Sequence, residues 1–209
     1  MTGTADAPVP AHDAHADPLA GRIGMWLFLF SEALLFGALF IAYTADLQIY
    51  HIEFDRCSHE LNRLLGAGNT LILLTSSLTV ALSVAALGRG SRRAAVGLLA
   101  AALLLAAAFL AVKGFEWSLK IGHGTWPGAP EMLARPKGEQ AFYGLYFVMT
   151  GLHALHVLAG AAAILVAAAL VATSRVRADR PGVLVNVGLY WHLVDVVWIF
   201  LFPLFYLIR

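Results

Sequence analysis

Five long apolar runs constrain this chain more than any other feature of its sequence. The predicted membrane spans cover 22–44, 66–87, 94–118, 140–172 and 183–208. A helix needs about 20 predominantly apolar residues to cross a bilayer, and each run supplies them. The runs are continuous rather than alternating, which favours helices over the strands of a membrane barrel. The sequence therefore predicts an all-α integral membrane protein, a bundle of five transmembrane helices.

Composition agrees with this class. Hydrophobic residues make up 60% of the chain and charged residues only 13%, whereas soluble domains carry about a quarter charged residues. The net charge of +1 provides no overall field for nucleic acid, which is not expected as a partner. The single cysteine, Cys57, excludes an intramolecular disulfide and a CxxC metal site. We interpret it as an unpaired thiol in a loop.

Charge in the connections predicts the orientation. The two short connections, "GRGSRR" and "SRVRADRPG", contain Arg89, Arg92, Arg93, Arg175, Arg177 and Arg180. Cytoplasmic loops carry an excess of Lys and Arg, so these loops are expected inside, with the N-terminus cytoplasmic and the C-terminus periplasmic. Residues 1–21 are polar and lack the pattern of a signal peptide. They are predicted to be a disordered tail before a transmembrane domain at 22–209.

Ionisable residues inside the spans are candidates for a site. Glu32 lies near the middle of the first span, His153 and His156 in the fourth, and His192 and Asp195 in the fifth. A charge at the bilayer centre costs at least about 2.5–3.5 kcal/mol, so such side chains face the bundle interior and find partners there. Residues three apart on a helix share a face. We predict a buried polar network of these five side chains, linking spans one, four and five.

A second polar pair lies in the third span. Lys113 and Glu116 are three residues apart near its predicted outer boundary, where they can pair locally. Alternatively, Lys113 extends to the membrane surface, as long basic side chains often do.

The residues alone leave several functions open. The polar side chains could ligate a metal or haem, form a proton or ion pathway, or fix the register of the helices. A stand-alone small transporter is a further alternative. It has little support, since Pro203 is the only proline well inside a span and transporters often use broken helices.

Four stretches together resemble subunit III of the haem–copper terminal oxidases, the cytochrome c oxidase subunit 3 family. They are "LFLFSEALLFGALF", "GFEW", "YFVMTGLHALHVLAG" and "YWHLVDVVWIFLFPLFYL". The resemblance covers 22–208. The long form of that subunit has seven helices, and this chain resembles the five-helix short form of bacterial oxidases. Subunit III of a quinol oxidase and the homologue associated with nitric oxide reductases remain alternatives within the superfamily.

The resemblance implies an accessory role in a proton-pumping complex that reduces oxygen to water. Such a chain binds no haem or copper itself, because those cofactors belong to partner subunits I and II, and no metal ligand is expected here. Its implied partners are subunit I directly, subunit II, structural phospholipid, and subunit IV or a larger respiratory supercomplex. The implied location is the bacterial plasma membrane, and the implied roles are stabilisation of subunit I, lipid binding and support of proton uptake.

The resemblance also assigns individual residues. Glu32 stands at the position of the family's buried, carbodiimide-reactive carboxylate. The resemblance implies no catalytic residue in this chain. Arg22, at the start of the first span, is the candidate for holding a lipid headgroup.

Overall fold

The computed structural model describes residues 18–208, and side chains from Gly21 to Ile208. Within that part of the chain all regular elements are helices. They are α1 (Pro18–Ile49), α2 (His51–His59), α3 (Arg63–Gly88), α4 (Arg92–Gly122), α5 (Pro130–Leu133), α6 (Lys137–Ala172) and α7 (Gly182–Tyr206).

Five of these helices, α1, α3, α4, α6 and α7, are long and apolar enough to cross a membrane. The predicted five-helix membrane protein is therefore confirmed. The helices extend beyond the apolar runs, because the polar residues that flank a span can continue its backbone hydrogen bonding into the interface. Helix α1, for example, begins at Pro18 and ends at Ile49, so the end of the predicted tail is helical. Proline is well suited to that first position, since its missing N–H would have no intrahelical partner there. Residues 1–17 of the predicted tail lie outside the described residues.

Helices α3, α4, α6 and α7 form a four-helix core. Helix α3 packs on α4, α4 on α6, α6 on α7, and α7 on α3. Small residues permit this close approach. Ala102 and Ala106 are buried in α4, and a Cβ added at Gly160 of α6 would lie 2.7 Å from the Trp191 ring of α7.

Helix α1 lies outside this core and is attached to α6 and α7 along one narrow seam. Leu29, Phe36 and Tyr43 are its buried apolar residues, and they repeat every seven positions. Such a repeat produces a single stripe along a helix. Only 11% of the residues in the apolar window of α1 are buried, compared with 44% in α7. Most of the circumference of α1 is therefore an exposed apolar surface.

Two short helices, α2 and α5, occupy the two longer connections between the spans. We call the end of the bundle that holds them the long-connection end, and the opposite end the short-loop end. Helix α2 packs on α6 through the buried side chains of Phe54 and Cys57. The interpretation of Cys57 as a loop thiol is therefore wrong: it lies in a helix and is fully buried. Immediately afterwards Asn62 caps α3, its Oδ1 accepting hydrogen bonds from the amides of Leu64 and Leu65.

Candidate functional site

Glu32 of α1 and His156 of α6 form a polar contact between α1 and the core. The Oε2 atom of Glu32 lies 2.8 Å from Nε2 of His156. The edge of the Phe36 ring packs against the imidazole, and the hydroxyl of Tyr190 donates to the carbonyl oxygen of His156. Both polar side chains are largely but not completely buried, as expected at the border of a seam.

The geometry places one proton between Oε2 of Glu32 and Nε2 of His156. The Nδ1 atom of His156 lies 2.8 Å from the carbonyl oxygen of Leu152. A carbonyl only accepts, so Nδ1 is the donor there. If the imidazole is neutral, Nε2 must accept, and Glu32 donates as a carboxylic acid. If Nε2 is also protonated, the ring is a cation and Glu32 is a carboxylate. In both states Glu32 and His156 share one proton.

His153, three residues before His156, has different surroundings. Its ring packs against those of Phe109 and Trp198, at centroid distances of 5.6 and 5.3 Å. It is fully buried, and neither ring nitrogen has a hydrogen-bond partner among the described residues. Residues three apart differ by about 60° around a helix axis. That rotation turns His156 toward α1 and His153 into the four-helix core.

The fifth-span residues form a separate contact with α3. The Nδ1 atom of His192 lies 2.5 Å from the hydroxyl of Ser77. Asp195 is buried nearby on the same helix, and its Oδ1 has no hydrogen-bond partner within residues 21–208. Ser77 was missed in the sequence analysis, because a serine inside a span usually bonds to its own helix.

Within the described part of the chain, a direct hydrogen bond therefore joins only one pair of the five predicted network residues. Glu32 and His156 are brought together, His192 pairs with α3 instead, and His153 stands apart from both. The link between spans one and four is present, whereas the wider network that includes His153, His192 and Asp195 stays a prediction. The sequence gives the position of each residue along its helix, and this was enough to predict one contacting pair. It does not give the rotation of each helix about its own axis, which decides the other contacts.

Lys113 and Glu116 form the most completely satisfied polar cluster inside the bundle. The Nζ atom of Lys113 donates to Glu116 Oε2 at 3.1 Å, to the Tyr146 hydroxyl at 3.1 Å and to the Tyr206 hydroxyl at 2.7 Å. Each tyrosine in turn donates to Glu116 Oε1, at 2.9 and 2.5 Å. All three ammonium protons are therefore used. The two charged residues are only 2% and 3% exposed, so Lys113 lies in the core and does not extend to the membrane surface.

This cluster joins α4, α6 and α7 near the long-connection end. The pairing of Lys113 with Glu116 follows from their spacing, whereas Tyr146 and Tyr206 were missed. Their only sequence signal is that a tyrosine in a span needs a partner for its hydroxyl. Because every charge and hydroxyl has a partner, the cluster resists separation of the three helices.

Polar contacts also fasten α2 to the core. The carboxylate of Glu139 lies 3.5 Å from Arg56 and 3.3 Å from Arg135. Tyr143 donates to the side chain of Glu60 at 2.5 Å, and Lys120 donates to the backbone oxygen of Glu60.

Arg22 is the last of the predicted site residues, and a metal site is the last of the alternatives from the sequence. Arg22 is exposed near the start of α1, at the short-loop end. Among the described residues no three His, Cys, Asp or Glu side chains are grouped so that they could hold a metal ion. The polar groups in the spans are arranged mainly as hydrogen-bonded pairs and clusters.

Comparison with known proteins decides among the families that this fold could represent. The family model for cytochrome c oxidase subunit III matches residues 12–208. The chain belongs to the cytochrome c oxidase subunit III family. It is thus subunit III of a haem–copper oxidase, a multi-pass membrane protein that associates with oxidase core subunits. Members of this family have no redox centre of their own.

Three relatives illustrate the range of the family. Cytochrome bo(3) ubiquinol oxidase subunit 3 of Pseudomonas aeruginosa is 30% identical, over 97% of this chain and 93% of the relative. Cytochrome c oxidase subunit 3 of Thermostichus vulcanus is also 30% identical, over 100% of this chain and 98% of the relative. Heme-copper oxidase subunit I+III of Aeropyrum pernix is 30% identical over 90% of this chain, which corresponds to 22% of that longer protein.

Proposed function

We propose that this chain is the accessory subunit III of a proton-pumping cytochrome c oxidase in a bacterial plasma membrane. It stabilises subunit I, holds phospholipid and supports proton uptake, while electron transfer to oxygen takes place in the partner subunits. The observation that carries the proposal is the exposed apolar surface of α1 in a member of this family. Among residues 21–208, only one stripe of α1 is covered by the chain itself.

The surface of α1 supports contact with another subunit and with lipid. Large apolar side chains cover it along the full span, among them Trp26, Phe30, Leu34 and Ile41. One relative, from Aeropyrum pernix, is named as a fusion of subunits I and III, which favours direct packing of this chain on subunit I. Arg22, exposed at the short-loop end of the same helix, is the proposed partner of a lipid phosphate.

The Glu32–His156 pair supports the role in proton uptake. It holds one shared proton at the edge of the α1 seam, where the side chains are not completely covered. Glutamate and histidine are the groups that exchange protons in membrane proteins. We assign no transfer step to the pair; its proposed contribution is to hold a proton beside the subunit interface.

The proposed orientation follows from the arginines of the short-loop end, which face the cytoplasm. A cysteine introduced at Ser91, between α3 and α4, should react with a membrane-impermeant maleimide only in inverted vesicles. A cysteine introduced at His123, just after α4, should react only in spheroplasts. The opposite pattern would reverse the orientation.

Affinity purification in mild detergent tests the assignment. The purified chain should bring down oxidase subunits I and II and give a reduced-minus-oxidised spectrum with haem bands. Cells that lack this chain should still yield subunits I and II, but their oxidase should lose activity faster during turnover. A haem-free preparation of this chain alone would overturn the assignment and favour the transporter alternative.

A quinol oxidase is the second candidate, because the Pseudomonas aeruginosa relative is named as a ubiquinol oxidase subunit. The identity of 30% is the same for that relative and for the Thermostichus vulcanus cytochrome c oxidase subunit. Oxygen consumption by the purified complex with reduced cytochrome c, or instead with ubiquinol, identifies the donor.

A further inference from the structure

Two side chains in the four-helix core are fully buried and have two polar atoms each without a hydrogen-bond partner among the described residues. They are Asn69 of α3 and His153 of α6. Both side-chain polar atoms of each residue have no hydrogen-bond partner among the described residues. Buried polar atoms in native proteins are almost always paired, with protein groups or with ordered water. Four such atoms in one core therefore require an explanation.

His153 packs against aromatic rings, and a charged group lies close to those rings. The rings are those of Phe109 and Trp198. The indole N–H of Trp198 donates to the hydroxyl of Thr70 at 3.1 Å, so it is not available to His153. The ammonium group of Lys113 lies 5.1 Å from the centre of the Trp198 ring, which brings the charged cluster close to this side of the core.

Asn69 is on α3, about one turn from a residue that packs against part of the same cluster. It lies three residues, or about one helical turn, after Gly66. A Cβ at Gly66 would meet the rings of Phe202 and Tyr206 at 2.8–3.0 Å. The hydroxyl of Tyr206 in turn contacts both Lys113 and Glu116. Asn69 and His153 thus belong to the region around the Lys113–Glu116 cluster.

The chemistry of the missing partner follows from the groups that need it. A neutral imidazole presents one donor and one acceptor, and an amide side chain presents both types as well. The partner must therefore both donate and accept. The protein donors of the cluster are already used, since all three protons of Lys113 are bonded. Lys113 and Glu116 already neutralise each other as an ion pair, so a small neutral molecule with a donor and an acceptor matches these groups.

We infer that His153 and Asn69 bind internal water molecules in the core of the four-helix bundle. Water has the required donors and acceptors, and buried polar sites in proteins commonly contain it. Membrane helices also satisfy polar groups with ordered water when protein partners are lacking. The core of this chain is then hydrated beside its buried ion pair.

Radiolytic hydroxyl-radical footprinting of the purified oxidase complex tests the inference. Water that is bound inside a protein produces radicals locally, so buried side chains beside it are oxidised. Phe109 lies next to His153, whereas Phe142 lies among the rings of Phe54, Tyr143 and Phe205. Both phenylalanines are fully buried, so they form a matched pair. Phe109 should be oxidised several-fold faster than Phe142, and equal rates would overturn the inference.

Substitution of the water ligands provides the second arm. The double variant His153→Phe and Asn69→Leu removes all four polar atoms, and oxidation of Phe109 should then fall to the rate of Phe142. An unchanged rate would show that these residues hold no water. If the double variant fails to assemble, a cryo-EM map of the unaltered complex replaces it. Density within about 2.7–3.2 Å of a His153 nitrogen supports the inference, and its absence in a map that resolves other internal waters overturns it.

Discussion

Glu32 and His156 approach to 2.8 Å across the α1 seam, although 124 residues separate them in the chain. The second ring nitrogen of His156 is committed to the carbonyl of Leu152. One proton is therefore shared between two side chains that belong to different helices. This single contact determines what substitutions at either position should do.

Glu32→Gln should leave assembly intact, because the glutamine amide can donate to Nε2 of a neutral His156. Glu32→Leu should lower the yield of assembled subunit, since it leaves Nε2 buried without a donor, at a cost of about 1–3 kcal/mol. Quantitative mass spectrometry of subunit III per subunit I measures both. Ser118→Ala, in α4, is the control, because Ser118 is exposed and its hydrogen bond among the described residues is to the carbonyl oxygen of Phe115. Loss of the Glu32→Gln chain from the complex would instead show that assembly requires the carboxyl group itself.

Lys113→Met should be strongly destabilising, because it leaves the buried carboxylate of Glu116 without its cation. Removing one partner of a buried ion pair costs about 3–5 kcal/mol. The double variant Lys113→Met and Glu116→Gln should recover much of that loss, since no charge remains buried. Thermal retention of subunit III in the detergent-solubilised complex is the measurement. Equal stability of the single and double variants would mean that the charge on Glu116 is not what destabilises the single variant.

Gly160→Ala should destabilise the packing of α6 on α7. The added Cβ would lie 2.7 Å from the Trp191 ring, which cannot move easily because it is fully buried. Overpacking of this kind costs about 1–3 kcal/mol. Gly144→Ala, in the same helix, is the matched control, since a Cβ there has no neighbour within 4 Å. It should be neutral or slightly stabilising, and a similar loss in both variants would point to helix backbone effects instead of Trp191.

Cys57 should resist alkylation in the native protein. Burial, together with the nearby carboxylates of Glu139 and Glu60, raises the pKa of its thiol to about 12. At pH 8 only about one thiol in 10⁴ is then ionised, and the thiolate is the reactive form. Mass spectrometry after maleimide treatment should show modification only after denaturation. A cysteine introduced at Ile52, exposed on the same helix, should react readily, and rapid native labelling of Cys57 would contradict its burial.

The same pKa gives a pH dependence. The unfolded thiol loses its proton above its ordinary pKa of 9.0, whereas the folded one keeps it up to about 12. The unfolded state therefore binds fewer protons in this window, and stability falls as the pH rises from 9 to 12. Cys57→Ala should remove this contribution to the alkaline loss of stability.

The fold was predictable largely because bilayer length is visible in a single sequence. Each apolar run marks a helix whatever its neighbours, so all five spans were found. Helix α2 was missed because its nine residues combine charged side chains with only a few buried ones, such as Phe54. Its stability comes from contacts with α6, and those are not visible in the local sequence.

The site was predictable in its residue types but not in its contacts. The spacing of Lys113 and Glu116 determines their pairing, because both lie on one helix. The partners of His153 and His156 depend on which neighbour each helix face meets. A rotation of about 60° separates a histidine that reaches Glu32 from one packed against Phe109 and Trp198. The helical period alone does not show which face of α6 meets α1.

The single seam of α1 has a consequence for biosynthesis. Helix α1 leaves the ribosome before α6, and Glu32 can meet His156 only after another 124 residues have been translated. At about 5–20 residues per second, that interval lasts about 6–25 s. During that interval the carboxyl group of Glu32 is in the membrane without its final partner. Docking of α1 is therefore a late step in the maturation of this subunit.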